Sequence, residues 1–283
     1  MRNTTGSLDS PAARPARVRS VDRALALLDL FGERTDSWGV SELAQRTGLS
    51  KASVFRLLQS LTAHGYTARD GSHRYVLGMK PLLLARALLR RHGVVEVARP
   101  RMETLARRTG ESVVLTVDGT DGVVCLAAVD STQPLRLSVQ VGHVTPYHAG
   151  ATGKVHLAHL PPERQQRVLA RRLVRCTPRT VTDPGALRRQ LAEIRRRGYA
   201  ISRGELDSGV AAVAVPVPGP DGALVAVLSL AGPASRFTAA RLPALLAETR
   251  QAAGEIARAL AAGVAGTDAG GNGTGPERAE DRR

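Results

Sequence analysis

Two short amphipathic helices joined by a three-residue turn constrain the fold of this chain more than any other feature. Ser41 is predicted to cap the first helix, over 42–47, and Gly48 stands where a helix commonly ends in a left-handed residue. Ser50 is predicted to cap the second helix, whose apolar positions recur at helical spacing: Val54, Leu57, Leu58 and Leu61. The pattern is typical of a helix-turn-helix unit, which places its second helix in the major groove of DNA.

One more helix precedes this unit and a hairpin follows it. Ser20 is predicted to cap the earlier helix, which ends before Gly32 and carries an apolar stripe of Val21, Leu25, Leu28 and Phe31. The runs 65–69 and 73–77 are rich in strand-forming residues and flank an Asp-Gly turn, as in the wing of a winged helix. Residues 18–79 are therefore predicted to form a winged helix-turn-helix domain.

The polar and cationic positions of this domain predict contacts with double-stranded DNA. Lys51 and Arg56 lie on the second helix outside its apolar stripe, and the helix N-terminus at Ser50 adds oriented N–H groups beside them. The wing adds cations that can reach the sugar-phosphate backbone. The predicted DNA-contacting residues are Arg19, Ser41, Ser50, Lys51, Ser53, Phe55, Arg56, Arg69, His73 and Arg74. A winged helix used only for protein interactions is the alternative for the domain, and ordinary solvated charge is the alternative for Lys51, Arg56 and Arg19.

The rest of the 283 residues is long enough for a second domain. Residues 80–97 are predicted to form a linker helix, and 98–262 an antiparallel α+β sensor domain. Its predicted elements are a helix over 98–109, strands over 112–117 and 122–129, a helix over 184–197, strands over 199–202, 210–217 and 224–230, and a helix over 238–262. Residues 1–17 are predicted to be a disordered basic arm, and 263–283 a disordered tail.

The formal net charge of +15 indicates a polyanionic partner such as nucleic acid. However, residues 164–203 alone carry 12 basic and 2 acidic side chains, outside the predicted DNA-binding domain. This arginine-rich stretch is interpreted as a solvated face, with a subunit contact as the alternative. The DNA hypothesis therefore depends on motif geometry and not on the total charge.

Cysteine and histidine patterns give no metal site or catalytic centre. The two cysteines, Cys125 and Cys176, cannot form a metal knuckle, and Cys125 lies in an apolar run that predicts a buried, inert thiol. Four histidines fall within 17 residues, but no carboxylate or cysteine lies nearby to complete a tetrahedral site: His143, His148, His156 and His159. They are interpreted as surface or pocket-edge residues, and we expect no metal, cofactor or catalytic residue.

The segment 150–154 invites comparison with a phosphate-binding loop, but His148 and Val155 occupy two positions that such a loop needs. A helix starting near Thr152 would still offer N–H groups to a carboxylate, so 147–153 is interpreted as the rim of an anion-sensing pocket, with a purely structural turn as the alternative. No apolar run approaches the roughly 18 residues that span a bilayer, so the expected location is the cytoplasm and no membrane partner is expected.

The motifs together resemble one known family. VRSVDRALALLDLF, SELAQRTGLSKASVFRLLQSLTAHGY and YVLG resemble the winged helix of IclR-type bacterial transcription regulators. VTPYHAGATGK (144–154), GYAISRGELDSGV (198–210) and VLSLAGPASRF (227–237) resemble three segments of that family's effector-binding domain, which is GAF-like in fold. The resemblance extends over residues 18–262.

The resemblance implies a ligand-responsive regulator, more often a repressor, that forms dimers or tetramers and senses a small organic metabolite. It places the effector-binding positions at Gly142, Tyr147, His148, Ala149, Ser202, Arg203, Glu205, Ala212 and Ser229. Ala52 stands where the family usually has a hydroxyl residue, and Phe55 stands where His or Tyr is common. Ala212 and Ala231 stand where some relatives carry Cys or Ser, which implies a larger or more apolar ligand.

The sequence leaves two alternative functions open. An enzyme with an accessory winged helix would explain the histidines and the predicted pocket, and it would convert its ligand. A nonspecific basic nucleic-acid-binding protein would explain the charge, but an aromatic content of 3% argues against stacking on single strands.

Overall fold

The computed structural model describes residues 18–33, 37–91 and 93–268, which form two compact units that divide between residues 90 and 91. The predicted arm at 1–17 lies outside the described residues. So does most of the predicted tail, although the last helix continues to Asp268, beyond the predicted end at 262. No helix in the described ranges has the length and apolar character needed to cross a membrane.

The first unit contains four helices and a two-stranded sheet. In chain order they are α1 (Arg19–Glu33), α2 (Val40–Thr47), α3 (Lys51–Ala63), β1 (Thr67–Arg69), β2 (Tyr75–Leu77) and α4 (Lys80–Arg91). The first three helices and the sheet enclose one apolar core, which includes Leu27, Phe31, Trp38, Leu43, Val54, Leu58 and Tyr75. The winged helix-turn-helix arrangement expected from the sequence is confirmed.

The buried face of α1 differs from the predicted one. The core takes Leu27, Leu30 and Phe31, whereas Val21 and Leu25 are each 53% exposed. Both sets recur at helical spacing, so the period alone cannot select the face that packs against α3. Ser20 is not a cap, because the helix already begins at Arg19.

The start of α2 also differs from the prediction. Its N-cap is Gly39, and the carboxylate of Glu42 accepts a hydrogen bond from the Gly39 N–H at 2.9 Å. A glutamate that reaches back in this way replaces the side-chain cap expected from Ser41, which lies exposed in the first turn. The left-handed Gly48 and the Ser50 cap, whose hydroxyl accepts from the Ser53 N–H at 3.2 Å, are confirmed.

The wing is built on an aspartate-centred turn. The Asp70 carboxylate accepts hydrogen bonds from the backbone N–H groups of Ser72 and Arg74, each at 2.9 Å. These bonds close the turn between β1 and β2, which pair antiparallel. His73 has φ of 60° and therefore belongs to the turn, not to the predicted second strand.

The predicted linker helix over 80–97 is two helices in the structure. α4 ends at Arg91, and α5 (Val94–Thr109) begins after Gly93. Glycine is a poor helix former, which explains the break in an otherwise apolar, arginine-rich run. α5 therefore starts four residues before the helix predicted over 98–109 and ends, as predicted, at a left-handed Gly110.

The second unit is an antiparallel sheet with helices on both faces. After α5 come β3 (Ser112–Asp118), β4 (Val123–Val129), β5 (Val144–Thr145), α6 (Gly150–His159), α7 (Pro162–Ala170), α8 (Pro184–Arg197), β6 (Ala200–Arg203), β7 (Val210–Pro218), β8 (Leu224–Pro233) and α9 (Leu242–Asp268). The strands follow the order β5-β4-β3-β8-β7-β6. The α+β fold expected from the sequence is confirmed, although α7 was not predicted.

The two helical layers enclose the sheet. Residues of α6 and α8 share a buried cluster with Ala200, Ala214 and Val227 of the strands. α5 and α9 pack against each other and against β3, β7 and β8. Because side chains alternate across a strand, the two layers cover opposite faces of the sheet.

Candidate nucleic-acid interface and ligand site

The second helix of the helix-turn-helix, α3, presents one polar and cationic face to solvent. Val54, Leu58 and Leu61 bury one side of the helix. Helical spacing therefore turns Ala52, Phe55, Arg56 and Gln59 to the opposite side, and all four are exposed. No aspartate or glutamate occurs in α3, so the face carries only positive charge.

The N-terminus of α3 adds to this positive character. Ser50 caps the helix, and its hydroxyl also lies 2.9 Å from that of Ser53. Lys51 is exposed in the first turn. The helix macrodipole and the free N–H groups of a first turn favour a bound anion such as a phosphate.

The structure distinguishes between the predicted cations of the wing. Arg69 donates a hydrogen bond to the Tyr75 hydroxyl at 2.8 Å and lies over the rings of Phe55 and Tyr75. Arg74, by contrast, donates to the Glu42 carboxylate at 2.7 Å and to the hydroxyl and carbonyl of Ser37. The Arg74 guanidinium therefore joins the wing to the start of α2 and is already hydrogen-bonded within the unit.

The remaining predicted contacts of this unit are accessible. Arg19 is exposed at the first residue of α1, and His73 is exposed at the tip of the wing. Within the described residues, no acceptor is recorded for either side chain or for the Arg56 guanidinium.

In the second unit, three predicted effector positions lie together on the sheet face that α6 covers. Ser202 pairs with Ala212 across β6 and β7, and Ser229 pairs with Ala214, two residues further along β7. Directly paired residues share a face, as do residues two apart in one strand. Ala231 pairs with Ala212 and belongs to the same face, which is therefore lined by small side chains.

The first turn of α6 lies beside these strands and is buried. Its N-cap, Ala149, has no side-chain capping bond, and Ala149 and Ala151 are at most 1% exposed. Gly150 packs beside Leu206 of the β6–β7 loop: a Cβ at this glycine would be in van der Waals contact with the leucine side chain, at 3.6 Å. The Ala149 N–H donates to the Pro146 carbonyl at 3.4 Å. A carboxylate is one acceptor that the following N–H groups of a first helical turn can bind.

A buried ion pair joins α6 to the same loop. The Lys154 ammonium lies 2.6 Å from a carboxylate oxygen of Glu205, and the two side chains are 4% and 12% exposed. Gln190 of α8 accepts a second hydrogen bond from Lys154 at 3.2 Å. Sequence reasoning placed Glu205 in the site but missed Lys154, although a lysine within the apolar stretch of α6 was a usable signal.

Four other predicted effector positions lie in the surrounding loops and strand ends, and three of their side chains form hydrogen bonds with other parts of the unit. The Tyr147 hydroxyl lies within hydrogen-bonding distance of the Asp118 carboxylate and 2.7 Å from the Gly119 carbonyl, and burial together with that carboxylate raises the pKa of Tyr147 to about 12. His148 donates to the Val174 carbonyl at 2.7 Å. Arg203 donates to the Phe237 carbonyl, and Gly142 lies in an exposed turn with φ of 88°. These contacts position the loops around the small-residue face.

The histidines do not behave as one group. His143 and His159 are exposed, but His156 is 1% exposed, so its interpretation as a surface or pocket-edge residue was wrong. Its Nε2 lies 2.9 Å from the Thr116 hydroxyl of β3, and burial lowers its pKa from 6.5 to about 4. Within the described residues, no three His, Cys, Asp or Glu side chains are grouped to hold a metal ion.

Cys125 is buried in β4, and burial raises the pKa of its thiol to about 11, so the thiolate is scarce at neutral pH.

The arginine-rich stretch 164–203 is partly neutralised: Arg164 pairs with Asp118, Arg171 with Asp121 and Arg196 with Glu193. Arg188 and Arg189 are exposed on α8 without a recorded carboxylate partner in the described part of the chain.

Comparison with known proteins gives the family of both units. The family model described as "Bacterial transcriptional regulator IclR C-terminal" matches residues 86–258, and the IclR helix-turn-helix domain matches residues 20–71. This chain belongs to the IclR family. As an IclR-family member it is a DNA-binding transcriptional regulator and not an enzyme.

Individual members of the IclR family align over most of their length. The chain is 32% identical to the HTH-type transcriptional regulator KipR of Bacillus subtilis, over 86% of this chain and 97% of that protein. It is 29% identical to the transcriptional repressor IclR of Escherichia coli, over 89% and 94%. The crystal structure of an IclR homolog from Microbacterium hydrocarbonoxydans, complexed with 4-hydroxybenzoate, matches with a TM-score of 0.75 and 29% identity, over 86% of this chain and 99% of that one.

The buried His156 predicts a specific pH dependence of stability. In the folded protein its imidazole stays neutral down to pH about 4, whereas the unfolded chain binds a proton below pH 6.5. The free energy of unfolding therefore falls as the pH drops from 6.5 towards 4, by up to roughly 3 kcal/mol from this group. Urea unfolding of His156→Gln over this pH range should show a smaller loss on acidification than the wild type. His159→Gln, an exposed change on the same helix, is the control, and equal pH profiles for His156→Gln and wild type would contradict the assignment.

Proposed function

We propose that two copies of this chain bind an operator through α3 and the wing, repress transcription, and are released or retained by a small carboxylate metabolite held at the start of α6. The observation that carries the proposal is the exposed face of α3, which has cationic and polar side chains and no acidic residue. Such a face on the second helix of a helix-turn-helix fits the major groove of duplex DNA.

The side chains of this face have complementary roles in the proposed complex. Arg56 can donate two hydrogen bonds to a guanine and Gln59 can form a similar pair with an adenine. Lys51, Arg69 and His73 would contact phosphates and set the orientation of the helix. Arg74 is omitted, because its guanidinium already binds Glu42 and Ser37.

The proposed dimer follows from exposed apolar faces in the first unit. Val21 and Leu25 lie on one side of α1, Val18 directly precedes the helix, and all three are 53–63% exposed. α4 adds four leucines that are 49–60% exposed: Leu82, Leu83, Leu84 and Leu88. Large exposed apolar patches mark interaction sites, and a second copy related by a two-fold axis would cover them while matching two operator half-sites. Pairing of such dimers into a tetramer is compatible with this arrangement.

The proposed effector site combines the first turn of α6 with the small-residue face of the sheet. The N–H groups of the buried Gly150 and Ala151 would bind a carboxylate, and the apolar body of the ligand would lie against Ser202, Ala212 and Ser229. The complex of the Microbacterium homolog with 4-hydroxybenzoate supports this type of ligand. A coupling free energy of about 1–3 kcal/mol between ligand and DNA would shift operator occupancy 5- to 150-fold.

Arg56→Ala tests the DNA interface. We expect this variant to bind the duplex upstream of its own gene more weakly by about 1–3 kcal/mol, because a bidentate base contact is lost, with ligand binding unchanged. Fluorescence anisotropy with labelled duplex measures the change, and Arg188→Ala is the matched control, since Arg188 is an exposed arginine of the second unit. Equal losses in both variants would show that only total charge matters and would contradict the interface.

The double substitution Val21→Glu and Leu25→Glu tests the dimer. Two carboxylates on the apolar face of α1 should raise the dimer dissociation constant at least about tenfold, because charges are costly to bury. Sedimentation equilibrium measures the effect. Leu135→Glu is the control, because Leu135 is 70% exposed in the second unit. A double variant that dimerises as tightly as the wild type would rule out this face.

Ala212→Phe tests the effector site. We expect 4-hydroxybenzoate at about 100 times its dissociation constant to stabilise the wild type by about 2.7 kcal/mol, which raises the thermal midpoint by several degrees. The added phenyl ring should occupy the ligand position and remove this shift while operator binding persists. Ala239→Phe, at an exposed residue, should keep the shift. If no aromatic or aliphatic monocarboxylate stabilises the wild type, the carboxylate site is wrong.

A further inference from the structure

The outward face of α3 contains an apolar patch that the hydrogen-bonding roles above leave unused. Ala52 and Phe55 are three residues apart, so they lie side by side on one face of the helix. Both are exposed, and the Phe55 side chain is 38% accessible although it is the largest apolar group of the helix. They adjoin Arg56 and Gln59, the two proposed base-reading residues.

The position of the Phe55 ring is supported from the core of the unit. The Arg69 guanidinium lies 5.8 Å from the centroid of the Phe55 ring and 5.1 Å from that of Tyr75. Its Nη2 also donates to the Tyr75 hydroxyl, and Tyr75 is 2% exposed. Arg69 therefore connects the exposed ring to a buried residue, which restricts the ring before any partner binds.

The positive charges around the apolar patch indicate which class of molecule binds it. Lys51, Arg56 and Arg69 surround the two apolar side chains, and α3 contains no acidic residue. A polyanion complements this surround, whereas a protein partner with an apolar face would leave three cations to be desolvated. In the major groove of duplex DNA, the apolar group presented at the base edges is the C5 methyl of thymine.

We propose that Ala52 and Phe55 form a methyl-reading site that binds the C5 methyl groups of thymines in the operator. The inference rests on the proposed docking of α3 in the major groove and adds a base preference to it: thymines beside the bases read by Arg56 and Gln59.

The size of the effect follows from the burial of one methyl group. Transfer of a single methyl or methylene group from water to an apolar contact changes an equilibrium constant roughly fourfold. A thymine that loses only its methyl should therefore weaken binding by roughly that factor for each contacted base.

Deoxyuridine provides this change, because it pairs like thymine and lacks only the methyl. A binding duplex is first selected from a random library with the full-length protein, and each thymine is then replaced singly by deoxyuridine. Fluorescence anisotropy gives the dissociation constant of every duplex. We expect one or two positions in each half-site at which the wild type loses about fourfold, with other positions unchanged.

Two variants show whether the loss arises at the proposed residues. Phe55→Ala should bind more weakly overall and should no longer distinguish thymine from deoxyuridine at the sensitive positions. Gln59→Ala, a change on the same exposed face, should weaken binding yet keep the distinction. Circular dichroism and thermal unfolding of both variants establish that the winged helix is folded, so the comparison reports on recognition.

The outcomes separate this inference from the proposed interface. If the wild type binds a selected sequence but tolerates deoxyuridine at every thymine, the methyl-reading site is overturned while the interface stands. The site is equally overturned if Phe55→Ala keeps the full distinction between the two bases. If no duplex is selected above a random-sequence control, both the interface and this inference fail.

Discussion

Tyr75 connects three parts of the DNA-binding unit, and the geometry of the exposed face of α3 depends on it. Its backbone exchanges two hydrogen bonds with Trp38, at 2.7 and 2.9 Å, and its ring is buried in the core. Its hydroxyl accepts a hydrogen bond from Arg69, which also lies over Phe55. The segment before α2, the wing and α3 are therefore held in one arrangement, and a surface that is fixed in advance loses less conformational entropy on binding.

In the second unit, the corresponding constraint is the close approach of α6 to its surroundings. A Cβ at Gly153 would lie 2.4 Å from the Pro146 carbonyl oxygen, so only glycine allows the preceding loop to pass this close. The next residue of the same helix, Lys154, pairs with Glu205 in the loop after β6. In the proposed effector complex, the ligand would therefore contact a helix that a buried ion pair already joins to the loop at the edge of the sheet.

The sequence predicted best where a local signal was unambiguous. The left-handed Gly48, Gly110 and Gly198 end their helices as expected, and the Ser50 cap is present. Predictions failed where two local solutions were equivalent. α1 has two stripes at helical spacing, and only the packing of Leu27 against the other helices shows which is buried. At the start of α2, a glycine followed three residues later by a glutamate forms a cap that is as effective as the expected serine cap.

By itself, the sequence determined the helix-turn-helix, the wing and most of the order of elements, because these depend on periodicity, caps and turns within a few residues. Only the tertiary structure decided which charges and polar groups are available. Arg74 pairs with Glu42, Lys154 pairs with Glu205, and His156 of α6 contacts Thr116 of β3; the partners are 32, 51 and 40 residues apart in the chain. Contacts between residues so distant in the chain leave no local pattern, since they exist only after separate elements have packed together.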